Sequence, residues 1–263
     1  MTNMRISQRQ LNFLSTCPRK FQHSYLDQLG SLTTPEQQES INWGSHFHLL
    51  MQQRELGLPI ESIVQEDSQM QQWVTGLVSV APEILTPNPN SRSFRESEHC
   101  RVLNFEGYVL TVIYDLLIAK DKKAEILDWK TYPLPKHKGW LERDWQTRLY
   151  LYVLAETSDY SPEQISMVYW FVKSEPEPKR IKFTYNAGKH EQTRRDLMEL
   201  LHKLNDWLAN YERGKEFPQV PEDARECDYC QFAVRCDRTL ESREASNSEN
   251  LITNLAKIAE VSL

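Results

Sequence analysis

Apolar positions recur along this chain with two periods, and the change between them divides it. The spacing is helical at first. Leu11 and Leu14 share one face of a helix predicted over 8–15, with Ser7 placed to cap it. Cys17-Pro18 interrupts that helix, and Pro18 suits the first turn of a second over 18–28, with Phe21, Tyr25 and Leu29 at i, i+4 spacing. Gly30 stops it, and 33–35 reads as a loop. Ile41, Phe47, Leu50 and Met51 predict a helix over 39–56. Another follows over 69–84, ended or kinked by Pro82. The Pro- and Asn-rich stretch 86–93 is a loop.

The period then shortens. Segments 100–105, 107–119 and 124–129 are rich in β-branched and aromatic residues and read as three consecutive strands, with a polar hairpin turn at 120–123. A helix over 141–157, strands over 165–173 and 179–185, and a long amphipathic helix over 189–212 complete the regular part. Past Phe217 the chain is charged and cysteine-bearing. A polar linker covers 242–250, and 251–263 is a short helix or a loose tail. This order favours an α/β fold, a mixed central β-sheet flanked by helices, over a doubly wound parallel sheet. It suggests one domain over 1–240, with 241–263 as a linker and tail.

Composition narrows the function classes. The 263 residues are 40% apolar and 10% aromatic, which suits a packed core rather than a disordered chain. The eight glycines do not cluster, and neither a G-x-G-x-x-G nor a G-x-x-x-x-G-K-S/T motif occurs. A dinucleotide enzyme and a self-contained ATPase are therefore disfavoured. No apolar run approaches the ~20 residues of a membrane span. Arg5 and Arg9 precede no apolar signal core, so the expected address is the cytoplasm, without a membrane partner. Five cysteines in such a reducing compartment do not suggest a disulfide framework.

A net charge of −6 argues against a nucleic-acid partner, but it is unevenly spread. By segment it is +3 over 1–28, −7 over 29–128, +3 over 129–203 and −5 over 204–263. Local potential, not the total, steers an anionic ligand.

Two constellations carry chemistry. In the first, Asp115 lies inside an apolar strand, where an unpartnered carboxylate is costly. Asp128 and Lys130 end the next strand and, two apart, point to one face. Two carboxylates at adjacent strand ends suit a hard divalent cation such as Mg²⁺. A lysine beside them fits phosphodiester hydrolysis, in which a metal activates water and offsets phosphoryl charge. Read alone, Asp128–Lys130 is more often a chance surface ion pair worth little.

Asp115 followed by Asp128-x-Lys130 resembles the PD-(D/E)XK nuclease superfamily, and within it the RecB-like nucleases and their CRISPR-associated, iron–sulfur single-domain relatives. Gly44-x-x-x-His48 and Gln146-x-x-x-Tyr150 match further motifs of that branch. The resemblance implies a restriction-endonuclease-like core and a Mg²⁺- or Mn²⁺-dependent deoxyribonuclease. It assigns the metal to His48, Asp115 and Asp128, and has Lys130 assist the water. Gln146 and Tyr150 then position the lysine, the water or the scissile strand. His46, two residues from His48, is a competing histidine. Two departures stand out: Val112 replaces a glycine the family usually has three residues before the strand aspartate, and Tyr114 replaces the proline before it.

The second constellation is Cys227-x-x-Cys230 with Cys236, spacing that suggests metal ligation. In the resembling branch, one cysteine before the core and three after it hold a 4Fe–4S cluster. The matching residues are Cys17, Cys227, Cys230 and Cys236, in segments at about 15–20 and 225–238, and the cluster would clasp the N- and C-terminal segments together. Zinc is the alternative occupant. Cys100 is expected to be a buried or half-buried thiol.

The implied substrate is DNA, as single strands or ends, cut by an exonuclease or endonuclease serving repair, recombination or CRISPR-related processing. A helicase or CRISPR and repair proteins would act in trans. Arg5, Arg9, Arg19, Lys20, Lys136, Lys138, Arg143 and Arg148 are candidates for a phosphate path, with Trp140 and Trp145 as stacking surfaces. The competing reading is a catalytically silent nuclease-fold module that binds DNA within a repair complex.

Overall fold

The computed structural model describes residues 4–30, 35–60, 64, 67–82, 93–136 and 138–238. The loop at 33–35 and that at 86–93 fall largely outside them. So do the last two residues of the helix expected over 69–84, and the whole of 241–263. The chain forms two compact units, Met1–Asn12 with Thr33–Leu201, and Phe13–Leu32 with His202–Leu263. Among the described residues no helix is long and apolar enough to cross a membrane.

The first unit is built on a six-stranded mixed sheet. Its strands are β1 (Arg5–Ile6), β2 (Phe94–Phe105), β3 (Tyr108–Lys120), β4 (Lys123–Lys130), β5 (Ile165–Phe171) and β6 (Lys179–Thr184). Antiparallel pairing joins β2 to β3, β3 to β4 and β5 to β6, while β1–β3 and β4–β5 are parallel. β2 follows β3 along almost its whole length. The opposite edge of β3 is shared. β4 pairs with it from Leu116 to Lys120, and β1 only at Val109 and Leu110. Residues 111–115 of β3 lie between those two partners, so the sheet forks there.

The helices are α1 (Gln8–Thr16), α2 (Pro18–Phe21), α3 (Pro35–Glu55), α4 (Ser68–Val80), α5 (Gly139–Arg143), α6 (Trp145–Glu156) and α7 (Ala187–Tyr211). The division between units falls within α1 and α7. Phe47, Leu50 and Met51 of α3 and Met70, Trp73 and Leu77 of α4 form one core with Leu116, Leu127, Trp129, Val168 and Trp170. Each such side chain contributes about 2 kcal/mol on burial. The Glu55 carboxylate also receives the Arg95 guanidinium, an ion pair from α3 to β2.

Two expected helices are broken differently than their periodicity implies. The helix over 141–157 is two helices, because Asp144 is extended (φ −60°, ψ 139°) and its carboxylate caps α6 by accepting from the Gln146 N–H at 2.7 Å. The helix over 18–28 is α-helical only to Phe21 and continues as a π-helix, Gln22–Leu26. That wider turn carries Gln22 and His23 into the interior of the second unit.

In the second unit Phe217 is the hub. Its ring stacks on Phe21 at 6.1 Å and meets Trp207 and Tyr211. Its N–H donates to the Gln22 side chain at 2.7 Å, and its carbonyl accepts from Arg19 at 2.7 Å. The Tyr211 hydroxyl donates to Asp27 at 2.7 Å. Beyond Phe217 the described chain has only short 3₁₀ turns, Arg225–Cys227 and Val234–Cys236.

Candidate active site

The site forms where the sheet forks. The last β3–β4 pair on that side is Leu116↔Leu127, so the next residue on each strand, Asp115 and Asp128, flanks the gap. The Asp115 Oδ2 accepts from the Trp129 N–H at 2.7 Å, which ties the carboxylate to β4 and turns Oδ1 toward α3. There His48 Nδ1 lies 3.2 Å from Asp115 Oδ1. One turn earlier is Gly44, where a Cβ would lie 3.0 Å from Thr131 Oγ1. The motif glycine thus allows α3 to pass close to the exit of β4, which sets the depth at which His48 meets Asp115.

Asp128 is 2% exposed. Its Oδ1 is 2.6 Å from Lys130 Nζ, and its Oδ2 accepts from Gln146 Nε2 at 2.6 Å. Lys130 Nζ also donates to Gln146 Oε1 at 2.7 Å and sits 4.6 Å over the Tyr169 ring. The Gln146 amide therefore spans both members of the Asp-x-Lys pair. Tyr150, one turn along α6, packs edge-on against Tyr114, whose hydroxyl donates to the Tyr150 carbonyl at 3.0 Å.

Electrostatics follow the geometry. Burial disfavours a charged imidazole at His48, but the hydrogen bond and charge of Asp115, with Asp128 and Glu98, outweigh it and raise the pKa to about 9. Burial pushes the Asp128 carboxyl upward against the pull of Lys130. Lys130 is itself desolvated, yet Asp128 holds it above its ordinary value. The 2.6 Å contact favours the charged pair.

His48, Asp115, Asp128, Lys130, Gln146 and Tyr150 line one cavity of about 980 Å³. His46 is exposed and lies outside that lining. Val112 is buried and is not among the residues that line the cavity. Of the acidic residues that line it, Glu98 escaped the sequence reading. The Glu98 carboxylate, the His48 imidazole and the Asp115 carboxylate bring ligand atoms within 4.8 Å of one another, a donor set that fits a divalent cation. Burial and Asp115 both raise the Glu98 pKa.

A family model of the PD-(D/E)XK nuclease superfamily matches residues 5–237. The chain belongs to the PD-(D/E)XK nuclease superfamily. No curated protein matches this superfamily member. Among solved structures, the crystal structure of SSO0001 aligns over 89% of this chain and 85% of its own, at 17% identity and a TM-score of 0.38.

The second unit of this PD-(D/E)XK protein gathers the other constellation. Cys17, Cys227, Cys230 and Cys236 line one small cavity of about 20 Å³. Burial raises the Cys236 thiol pKa, with further upward pushes from the other three sulfurs and a downward pull from Arg19. None of the five cysteines is in a disulfide. Two features were not legible in the spacing. His23 Nε2 lies 3.7 Å from Cys236 Sγ, and His23 Nδ1 is 2.8 Å from Asp27. Cys100, expected to be at least half-buried, is exposed. It pairs across β2–β3 with Ile113, itself 46% exposed, so both belong to an open stretch of sheet.

The nominated basic residues divide. Arg19 is bound to Glu216 at 2.6 Å, and Lys20 lies 4.6 Å over the Phe13 ring and lines the cysteine cavity. Arg148 pairs with Asp196 at 2.6 Å, rests on Trp145 at 4.4 Å, and lines a different cavity from Gln146. Lys136, Lys138 and Arg143 are exposed, as are Arg5 and Arg9. Trp140 is exposed, but Trp145 is only 5% exposed, so its place is the core rather than a stacking surface.

Proposed function

We propose that this PD-(D/E)XK protein is a Mg²⁺- or Mn²⁺-dependent deoxyribonuclease that hydrolyses phosphodiester bonds in single-stranded DNA or at DNA ends, as an exonuclease. The observation that carries the reading is the Asp128–Lys130–Gln146 network, held beside the His48–Asp115 pair in one cavity. His48, Asp115 and Asp128 would hold the cation, which when bound supplies Lewis-acid stabilisation of phosphoryl charge. Lys130 presents a positive group in the same cavity, where phosphate oxygens gather charge. Gln146 keeps Lys130 and Asp128 in register, and Tyr150 walls the cavity beside them. Lys136, Lys138 and Arg143 are the exposed charges proposed for the phosphate path, with Trp140 for stacking. Arg19, Lys20 and Arg148 have a lesser part, since each already has a local partner.

Within this reading the protein is an RecB-like, iron–sulfur member of the superfamily. Cys17, Cys227, Cys230 and Cys236 line one cavity, which supports a shared metal group there. The occupant proposed is the 4Fe–4S cluster that the resemblance implies, with zinc as the alternative. Such a cluster would tie segment 13–32 to the C-terminal segment within the second unit. Its place is in DNA repair, recombination or CRISPR-related processing, beside a helicase or other proteins acting in trans.

The test is cleavage of an end-labelled single strand with Mg²⁺ or Mn²⁺. Asp128→Ala and Lys130→Ala are each expected to abolish it, and full activity in both overturns the assignment. For the cysteines, anaerobic purification with metal analysis is expected to return iron and sulfide in a coloured protein. A colourless protein carrying zinc refutes the cluster.

A further inference from the structure

We propose that Glu98 is a further ligand of the divalent cation, completing with His48 and Asp115 a site that sequence motifs assign to histidine and aspartates alone. The inference rests on the metal-dependent reading above and deepens it by adding a residue to the metal's own shell.

Strand register supplies the first argument. β2 and β3 pair Ser97 with Leu116 and His99 with Tyr114, so Glu98 lies across from Asp115. Extended the other way, the β3–β4 register sets Asp115 against Asp128. Glu98, Asp115 and Asp128 therefore form a row across three neighbouring strands. Like charges opposite one another destabilise a sheet unless something lies between them. Lys130 answers Asp128. The two remaining carboxylates flank the His48 imidazole, a donor set that suits a dication.

The second argument is reach. Glu98, His48 and Asp115 offer one nitrogen and two oxygens within 4.8 Å of each other, and all three line the same cavity as Lys130. Hard cations such as Mg²⁺ and Mn²⁺ take such carboxylate oxygens, and the imidazole favours Mn²⁺ between them.

The third is the backbone. Glu98 has φ +50° inside an otherwise regular strand, and the register is the same on both sides, so no residue has been inserted. Left-handed geometry is costly for a residue other than glycine. Here it accompanies a carboxylate delivered into the cavity, a combination typical of residues whose position serves a site.

Calorimetric titration of the full chain with Mn²⁺ tests this apart from catalysis. Glu98→Gln is expected to weaken Mn²⁺ binding by about tenfold or more, with no loss of metal-free melting temperature, since a carboxylate facing Asp115 is removed. Glu98→Gly, which suits the positive φ, keeps the test open should the glutamine variant fold poorly, and is expected to weaken binding equally. Asp115→Asn is the control. Wild-type Mn²⁺ affinity in both Glu98 variants, with binding lost in Asp115→Asn, overturns the role of Glu98 and leaves the metal-dependent nuclease reading intact. A wild-type chain that binds no Mn²⁺ and cleaves no DNA removes both.

Discussion

Gln146 shows what one side chain decides at this site. Its amide accepts from Lys130 and donates to Asp128, so both groups are held by a single planar fork. Lys130 is the only charge that touches Asp128 among the described ion pairs. Removing one partner of a buried pair leaves the other uncompensated, so Lys130→Met is expected to destabilise the metal-free protein by about 3 kcal/mol in urea unfolding. Gly44 makes a prediction of a different kind. A methyl there meets Thr131 Oγ1 at 3.0 Å, while the next atom, Thr131 Cβ, is 4.0 Å away. Gly44→Ala is expected to cost about 1 kcal/mol by overpacking and to lower metal affinity by moving His48. Thr131→Ala in the same chain should restore both. Failure of that rescue in thermal melts would show that the close approach is not what Gly44 provides.

The elements were legible where period and length were both strong. β3, β4, α3 and α7 lie within a few residues of their expected bounds, because long runs average out local ambiguity. β1 was not legible, since two residues carry no period. The break at Asp144 was visible only as a capping residue inside an apolar helical pattern, and the cap prevailed. Asp144→Ala is expected to cost about 1 kcal/mol, read by thermal melting. The π-helix left no signature at all, yet it places His23 beside Cys236 and against Asp27. Burial opposes ionisation of Asp27, but hydrogen bonds from Tyr211, His23 and Gln22 outweigh it and hold its pKa below the ordinary 3.8. A lowered folded pKa stabilises above the unfolded value and is lost as pH falls through the folded one. Unfolding measured from pH 5 downward should therefore show a stability loss starting near pH 4 that Asp27→Asn removes.

Across the whole molecule, the overall charge of −6 proved less informative than its placement. Two of those negative charges, Asp115 and Asp128, flank the fork of the sheet, and a third, Glu98, stands in line with them. The Asp-x-Lys pair was readable from spacing, and the Gly44–His48 and Gln146–Tyr150 turns from the resemblance to the nuclease superfamily. Each is local, and a strand of period 2 or a helix of period 3.6 sets the direction of its own side chains without reference to the rest of the chain. The mixed sheet followed from the sequence of helix and strand patterns for the same reason. Pairing is different, because register depends on which strand lies beside which, and no local pattern contains it. That is why Glu98, two residues before the expected strand start, became a site residue only when β2 aligned with β3. It is also why Arg19, Arg148 and Trp145, basic or aromatic in the sequence, turned out to be already engaged in packing. Local spacing named the chemical groups, and tertiary pairing decided which of them share a cavity.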